Sequence, residues 1–257
     1  MKVLIMSDME GVSGIVAWSQ VNGGAPMYEE GRRLYTEEIN AAVRGARSAR
    51  LSSSIATEPG VTGPSTRWCP SCWMRAAIGS HGWGRYTELL EQGCDAALMV
   101  GMHARANTPD GVMCHTISTT SWRSLWFNDD CVGETGINAA ICGFYDCPVV
   151  LVTGDRAVCR ESRELLGHNI ITVEVKQGLS RRSARQIPPV RARRMIEAGA
   201  HAALTGNLAA IKPYKPGDPC TITVDLPNVE RTEDFRSRPG VEIEAGDMKA
   251  ISRADTW

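Results

Sequence analysis

The stretch Lys2-Val3-Leu4-Ile5-Met6-Ser7-Asp8-Met9-Glu10-Gly11 is an apolar run that ends at two closely spaced carboxylates. The apolar run predicts a strand that is buried on both faces of a sheet. Ligands bind beyond the carboxyl ends of strands in open α/β sheets, so a functional site is expected at Asp8 and Glu10. Alternate residues of an extended segment point the same way, so both carboxylates can reach one cation. A solvated acidic turn explains this motif equally well when the motif is taken alone.

Strand and helix patterns alternate along the chain after this motif. Further buried strands are predicted over residues 95–101, 148–153 and 170–175. The alternation favours an α/β fold with a largely parallel sheet flanked by helices. Helices are predicted over residues 27–49, 86–92, 133–144, 156–166 and 189–204.

The sequence changes character after residue 212. Residues 220–226 alternate like a half-exposed strand, and residues 241–243 have the composition of another strand. We therefore expect additional strands in a smaller C-terminal portion, residues 213–257. This portion and the main α/β part, residues 1–212, are expected to form a single domain.

Composition excludes several classes of protein. The 257 residues carry 28 basic and 29 acidic side chains, and this formal net charge of −1 argues against a nucleic-acid binder. No apolar run approaches the roughly 18 residues that would span a membrane. The N-terminus meets a carboxylate too early to be a secretory signal, so the nine cysteines are expected as free thiols in the cytoplasm.

The segment of residues 45–80 differs from the rest of the chain. It holds seven serines, four arginines, no lysine and one carboxylate, Glu58, and only residues 54–57 have the pattern of a strand. An irregular insertion explains this composition, and so does translation out of frame between two compensating indels. We favour the frame shift, because ordinary composition resumes abruptly at residue 82. Cys69 and Cys72 have the spacing of half a zinc ribbon, but no second pair completes it.

Three further side chains could join the two carboxylates of the opening motif. His103 follows the predicted strand over 95–101, and His115 lies twelve residues further on, close enough for a loop to return it to the same cavity. Glu134 stands near the start of a predicted helix, where the helix dipole favours a carboxylate in any protein. A lone histidine is also more often structural than functional, so no member of the set is decisive alone.

Together these carboxylates and imidazoles predict a transition-metal site. Mixed oxygen and imidazole ligands suit zinc better than magnesium or calcium, which prefer oxygen ligands alone. Such a site polarises a carbonyl group and lowers the pKa of a bound water molecule, and both effects indicate hydrolysis. The sequence has no Gly-x-Ser-x-Gly elbow, no P-loop and no Gly-x-Gly-x-x-Gly after the first strand.

These motifs resemble those of the M55 family of metallopeptidases, the D-aminopeptidase type. The resemblance covers most of residues 1–45 and 82–226 in the order of the family. It rests on Ser7-Asp8-Met9-Glu10-Gly11-Val12-Ser13-Gly14, Gly101-Met102-His103-Ala104-Arg105-Ala106, Gly111-Val112-Met113-Cys114-His115-Thr116 and Gly133-Glu134.

The resemblance implies an aminopeptidase with two zinc ions per subunit and a ring-like homo-oligomer. Asp8 resembles the carboxylate that bridges the two ions, Glu10 and His103 resemble its partners at one ion, and Glu134 resembles a ligand of the other. His115 resembles the catalytic residue beside the metals, described in the family as a nucleophile. On physical grounds it could equally act as a general base or as a hydrogen-bond donor to the tetrahedral intermediate. Activity is expected to fall as the pH drops through its pKa.

The chain departs from the family at the second strand. The family has an Asn/Arg-Asp-x-His motif there, whose histidine binds the second zinc ion. In this chain that place falls near residues 57–60, which contain no histidine, and His81 does not match the ligand position. The chain also ends at Trp257, short of the family's closing helix, so we expect a truncated C-terminal portion.

Three functions are weighed on these grounds. We predict a cytoplasmic, zinc-dependent aminopeptidase that hydrolyses short peptides by metal-activated attack, with N-terminal D-residues as a candidate preference. The alternative is a non-catalytic or one-metal relative that keeps the scaffold but lacks a ligand of the second site. A weaker third hypothesis is a magnesium site for phosphoryl transfer at the Asp8-x-Glu10 pair, against which the histidines argue. The expected partners are small peptides and further copies of the chain, with neither nucleic acid nor membrane.

Overall fold

A computed structural model describes residues 1–49, 55–59, 78–79, 87–236, 238–244 and 248–254. The strands are β1 (Val3–Ser7), β2 (Ile55–Pro59), β3 (Ile78–Gly79), β4 (Ala96–Met102), β5 (Ser124–Phe127), β6 (Asp130–Val132), β7 (Val149–Asp155), β8 (Ile171–Ser180), β9 (Ser183–Gln186), β10 (Cys220–Asp225), β11 (Val241–Ile243) and β12 (Lys249–Ala254). The helices are α1 (Tyr28–Ser48), α2 (Glu88–Glu91), α3 (Glu134–Phe144), α4 (Arg156–Leu166), α5 (Pro189–Thr205) and α6 (Val229–Arg236).

The main sheet has the strand order β3-β2-β1-β4-β7-β8-β9. All neighbours in it are parallel except β8 and β9, which form an antiparallel pair. Every residue of β1, β4 and β7 is buried, as expected for central strands that are covered on both faces. Since Ser7 pairs with Val100 and Met102 with Gly154, these three strands end at one edge of the sheet.

Helices flank the main sheet. The connection from β1 through α1 to β2 runs one way along the sheet, and the connection from β4 through α3 to β7 runs the other way. Right-handed crossovers therefore place α1 and α3 on opposite faces. The long helix α1 packs against α5, and α4 packs against β7 and β8. None of the described helices is long and apolar enough to cross a membrane.

A second, antiparallel sheet has the order β11-β12-β10-β5-β6. Helix α3 contacts the cores of both sheets, because Ala139 and Cys142 pack in the main core and Ala140 packs in the smaller one. Near the end of this helix a Cβ on Gly143 would lie 1.8 Å from the backbone oxygen of Tyr214, so only glycine allows this approach. The core of the second sheet consists of Leu125, Phe127, Val132, Ala140, Cys220, Val224, Leu226 and Ala250.

The prediction of an α/β fold with a largely parallel sheet, flanking helices and added C-terminal strands is confirmed. The second sheet, however, also takes β5 and β6 from residues 124–132, which the sequence does not predict as strands. The strand predicted over 170–175 extends to Ser180 because its last residues pair with β9. The strand pattern of residues 54–57 lies in β2, whereas Cys69, Cys72, His81 and most of the segment 45–80 lie outside the described residues. The seven cysteines that the structure describes form no disulfide.

Candidate metal centre

The carboxyl ends of β1 and β4 bring the opening motif next to His103. The backbone N–H of Asp8 donates to the carbonyl of Val100, and that of Gly11 donates to the carbonyl of Gly101, each at 2.8 Å. A Cβ on Gly11 would lie 1.8 Å from the carbonyl oxygen of Met102, so the turn can approach β4 this closely only with glycine. The turn therefore fixes the position of Asp8 relative to the end of β4.

A buried lysine holds the same turn from the other side. The Lys176 ammonium group on β8 donates to the carbonyl oxygens of Glu10, Val12 and Ile15 at 2.6, 2.9 and 2.6 Å. These three acceptors use all three of its donors. Burial lowers the pKa of Lys176 to about 8, although nearby carboxylates oppose the shift. The only sequence signal for this role is that a lysine directly follows the predicted apolar strand over 170–175.

The loop of residues 103–117 carries both histidines and is strained. Asn107, Met113 and Ile117 all have positive φ angles, of 65°, 52° and 61°. The conformation of Ile117 aims its backbone N–H at the Oε1 atom of Glu134, 3.0 Å away. The buried carboxylate of Asp155, which also caps α4, accepts the backbone N–H of Val112 at 2.7 Å. These hydrogen bonds to Glu134 and Asp155 stabilise the strained backbone conformation of the loop.

The two imidazoles stack, and both present the same nitrogen to the carboxylates. Their ring centroids are 4.1 Å apart with planes inclined by 9°. Each Nδ1 lies 2.9 Å from a backbone carbonyl oxygen, that of Ala104 for His103 and that of Met113 for His115. A carbonyl can only accept, so each Nδ1 carries a hydrogen, and each Nε2 is the nitrogen that can bind a proton or a metal ion. Trp18 contacts the His115 ring edge-on, at a centroid distance of 5.4 Å.

The Nε2 atoms face carboxylate oxygens at short range. That of His103 lies 3.3 Å from Asp8 Oδ2 and 3.4 Å from Glu134 Oε1, and that of His115 lies 3.3 Å from Glu134 Oε1. Asp8, Glu10, His103, His115 and Glu134 are all buried, each with 6% or less of its surface exposed. Lone pairs and anionic oxygens that face one another out of water require a positive charge between them.

The pKa values of the two histidines shift in opposite directions. Burial lowers the pKa of His103, but the carboxylates of Asp8 and Glu134 outweigh burial and raise it well above its usual value. Burial, together with the charge on His103, lowers the pKa of His115 to about 4. A proton on His103 therefore supplies the positive charge that a metal ion would supply in the same place.

The donor set fits a transition-metal ion. Potential ligand atoms of Asp8, Glu10 and His103 lie within 4.8 Å of one another, and so do those of His103, His115 and Glu134. The His103 Nε2 atom is buried and makes no hydrogen bond to the described residues. Carboxylate oxygens with imidazole nitrogens are the ligands of catalytic zinc sites. The residues present thus fit a zinc ion.

Comparison with known proteins identifies the family. The model of peptidase family M55, described as D-aminopeptidase, matches residues 1–56 and 78–256. The chain belongs to this family. The matched ranges contain all five residues of the centre, and the unmatched residues 57–77 fall inside the segment 45–80 that the sequence marks as different.

A similar sequence and a similar solved structure each match nearly the whole chain. A D-aminopeptidase from Bacillus subtilis (strain 168) is 32% identical over 248 residues, which are 96% of this chain and 89% of that protein. The solved structure described as the Zn-dependent D-aminopeptidase DppA from Bacillus subtilis, a self-compartmentalizing protease, is 31% identical and superposes with a TM-score of 0.92. That match covers 100% of this chain and 92% of the other.

The structure brings together all five site residues that the sequence predicts. Asp8 and His103, whose proximity decides the metal-site hypothesis, are 3.3 Å apart at their closest polar atoms. The place of the family's second-strand histidine, near residues 57–60, lies outside the side chains that the structure describes. Sequence reasoning misses the supporting roles of Asp155 and Ile117. Only Asp155 gives a signal, as a capping residue between a strand and a helix.

Proposed function

We propose that this chain is a zinc-dependent aminopeptidase that removes N-terminal residues, D-residues among them, from short peptides. The observation that carries the proposal is the buried Nε2 atom of His103, which faces Asp8 and Glu134 without a hydrogen bond from the described residues. A divalent cation in that position satisfies the imidazole lone pair and both carboxylates. The family is described as D-aminopeptidase, and the solved relative is described as zinc-dependent.

We assign Asp8, Glu10, His103 and Glu134 as metal ligands. Two groups of potential ligand atoms overlap at His103, so this histidine is placed to serve either group. The backbone N–H of Ile117 donates to the same Glu134 oxygen that faces both imidazoles. This hydrogen bond fixes the orientation of the Glu134 carboxylate. A zinc ion in this site supplies a Lewis acid that polarises the scissile carbonyl and lowers the pKa of a water molecule.

His115 is assigned as the catalytic residue. Its Nδ1 hydrogen is held by the Met113 carbonyl, so proton transfer falls to Nε2. Burial disfavours the charged form of His115, so its Nε2 is unprotonated at neutral pH and can accept a proton during attack. Packing against Trp18 and His103 limits rotation of the ring and keeps Nε2 directed at the centre.

We further propose that the chain works as a cytoplasmic homo-oligomer. The support is the solved relative, which is described as self-compartmentalizing and covers the full length of this chain at a TM-score of 0.92. Sedimentation of the purified protein tests the assembly, and a monomer at working concentration contradicts it.

The test of the activity compares metal content with turnover in the purified chain. The wild type, purified without chelator, is expected to contain zinc and to release alanine from D-alanyl peptides. His115→Gln is expected to keep its zinc and to lose about 10²–10⁴-fold in kcat, because it removes the proton acceptor and no assigned ligand. His168→Gln, at an exposed histidine outside the centre, is the matched control and keeps full activity.

Three results would contradict this proposal in whole or in part. A protein without bound metal that still cleaves these peptides removes the role of zinc. Loss of zinc in His115→Gln makes His115 a ligand instead of a proton carrier. Failure of the zinc-loaded wild type to release amino acid from any D-aminoacyl or L-aminoacyl peptide rejects the function itself.

A further inference from the structure

A cavity of about 320 Å³ opens beside His115. Its volume is at the lower end of the range for small-molecule sites, about 300–1,000 Å³. His115 lines one side, and Trp122 and Pro109 contribute apolar surface. The cavity therefore borders the proposed catalytic residue and has room for only a short segment of a bound molecule.

The cavity is basic, although the adjacent metal centre is acidic. Arg123 and Arg181 both line it, and none of the described residues around it is acidic. Neither guanidinium group forms an ion pair with a carboxylate in the described part of the chain. Two such groups at the wall of a concave site favour an anionic ligand, and guanidinium groups match the planar geometry of a carboxylate.

The two arginines come from segments next to different sheets, and hydrogen bonds hold each of them. Arg181 follows β8 of the main sheet, its carbonyl accepts the N–H of Met113, and its Nε donates to the carbonyl of Cys114 at 3.2 Å. Arg123 precedes β5 of the second sheet, and its N–H donates to the carbonyl of Asp225 at 2.8 Å. The backbone of each arginine is thus fixed before a ligand arrives, which reduces the entropy cost of binding.

We propose that this cavity binds the C-terminal end of the peptide substrate, with Arg123 and Arg181 holding its free α-carboxylate. This inference rests on the proposed aminopeptidase function and specifies its substrate class. The peptide then lies with its scissile bond at His115 and its carboxylate at the arginines, so the small cavity restricts the substrate to a few residues. Long peptides and C-terminal amides are excluded as good substrates, since they leave the guanidinium groups unpaired.

The test compares D-alanylglycine with D-alanylglycinamide on the zinc-loaded enzyme. The wild type is expected to prefer the free acid in kcat/KM by about tenfold or more, as for hydrogen bonds to charged groups. Arg181→Gln and Arg123→Gln are each expected to lower kcat/KM for the acid, mainly through KM, and to change kcat/KM for the amide much less. Arg182→Gln is the matched control, because this exposed neighbour does not line the cavity.

A binding measurement separates the arginines from the metal as the source of carboxylate affinity. N-acetylglycine and N-acetylglycinamide are titrated into wild type, Arg123→Gln, Arg181→Gln and Arg182→Gln by calorimetry. The preference for the acid is expected to disappear in Arg123→Gln and Arg181→Gln and to persist in Arg182→Gln. A preference that survives in Arg181→Gln and in Arg123→Gln places the carboxylate elsewhere and overturns the inference, as does equal cleavage of acid and amide by the wild type. Binding without cleavage of either dipeptide rejects the proposed function and keeps the anion site.

Discussion

The backbone carbonyls of Ala104 and Met113 decide which nitrogen of each histidine faces the centre. Both accept from Nδ1, so the two Nε2 lone pairs are directed at the oxygens of Asp8 and Glu134. Such backbone partners orient a ligand without adding charge to the site. This arrangement explains why a cluster of buried acids and imidazoles can stay preorganised in a folded chain.

The first prediction concerns Gly11, where the opening motif contacts β4. A Cβ at this position would lie 1.8 Å from the Met102 oxygen, a backbone atom that cannot turn aside. We expect Gly11→Ala to lower the free energy of unfolding by about 1–3 kcal/mol or more and to reduce the zinc content, because the turn carries Asp8 and Glu10. Chemical denaturation and metal analysis measure both effects.

Gly23→Ala is the matched control for this substitution, since nothing lies within 4 Å of the added Cβ. Equal stability of the two variants would contradict the close approach of this turn to β4.

At this scale the sequence predicts which side chains meet at the centre but not how they are held there. Asp8 and His103 could be predicted because each follows an apolar strand, and parallel strands end together. The stacking of His115 on His103 could not, because it depends on left-handed residues such as Ile117, which carry no local signal for that conformation.

At the scale of elements, α1 and β8 contribute the buried side chains that hold the turn of residues 8–15. Glu38 on α1 accepts the backbone N–H of Ser13 at 2.9 Å, while Lys176 on β8 holds the carbonyls. Both side chains are essentially inaccessible to water. The turn is thus fixed by one acceptor and one donor group from elements distant in sequence.

The second prediction is a pH dependence that comes from Glu38. Burial raises the pKa of Glu38 to about 7, against opposing effects from the Ser13 N–H and the charges of Lys176 and Arg193. A raised pKa means that the folded chain binds more protons between about pH 4.5 and 7. The contribution of Glu38 to stability is therefore complete below this window and is lost as the pH rises through it.

Glu38→Gln keeps an acceptor for Ser13 and removes the titration. The shift from 4.5 to about 7 corresponds to about 3 kcal/mol. We expect the stability of the wild type relative to Glu38→Gln to fall by up to this amount between pH 4.5 and 7.5. Urea unfolding of both proteins at a series of pH values measures the difference. A difference that does not change with pH would show that Glu38 titrates normally.

The third prediction belongs to the whole molecule and concerns metal removal. An ion that binds only the folded chain stabilises it by about 4 kcal/mol when the free ion concentration is about a thousand times the dissociation constant. For a chain of this size that corresponds to roughly 8–16 °C in Tm. We expect EDTA to lower Tm by several degrees and zinc to restore it, as measured by calorimetry.

His103→Gln is the variant that makes this measurement specific. It removes the nitrogen shared by both ligand groups, so its Tm is expected to respond weakly to EDTA and to zinc. A wild-type Tm that does not depend on chelator would argue that the centre holds no structural metal.

The two sheets differ in how far the sequence predicts them. Strands β1, β4 and β7 are continuous apolar runs, so their pattern alone identifies a buried parallel sheet. The short strand β5 pairs with β10, nearly a hundred residues away in the chain, and β6 pairs only with β5. Local periodicity contains no information about such pairing, and their half-buried faces give only a weak pattern.

Helix α3 packs against both sheets. Its first residue is Glu134, and its far end is seated against Tyr214 at Gly143. Coordination distances tolerate only about 0.2 Å, whereas each residue of a helix rises about 1.5 Å. With Glu134 as a proposed ligand, a slide of α3 by a fraction of one residue would move its carboxylate out of reach of a bound cation. We therefore expect metal affinity and the packing of the smaller sheet to be coupled, so that damage to this sheet, far from the metal centre, weakens metal binding.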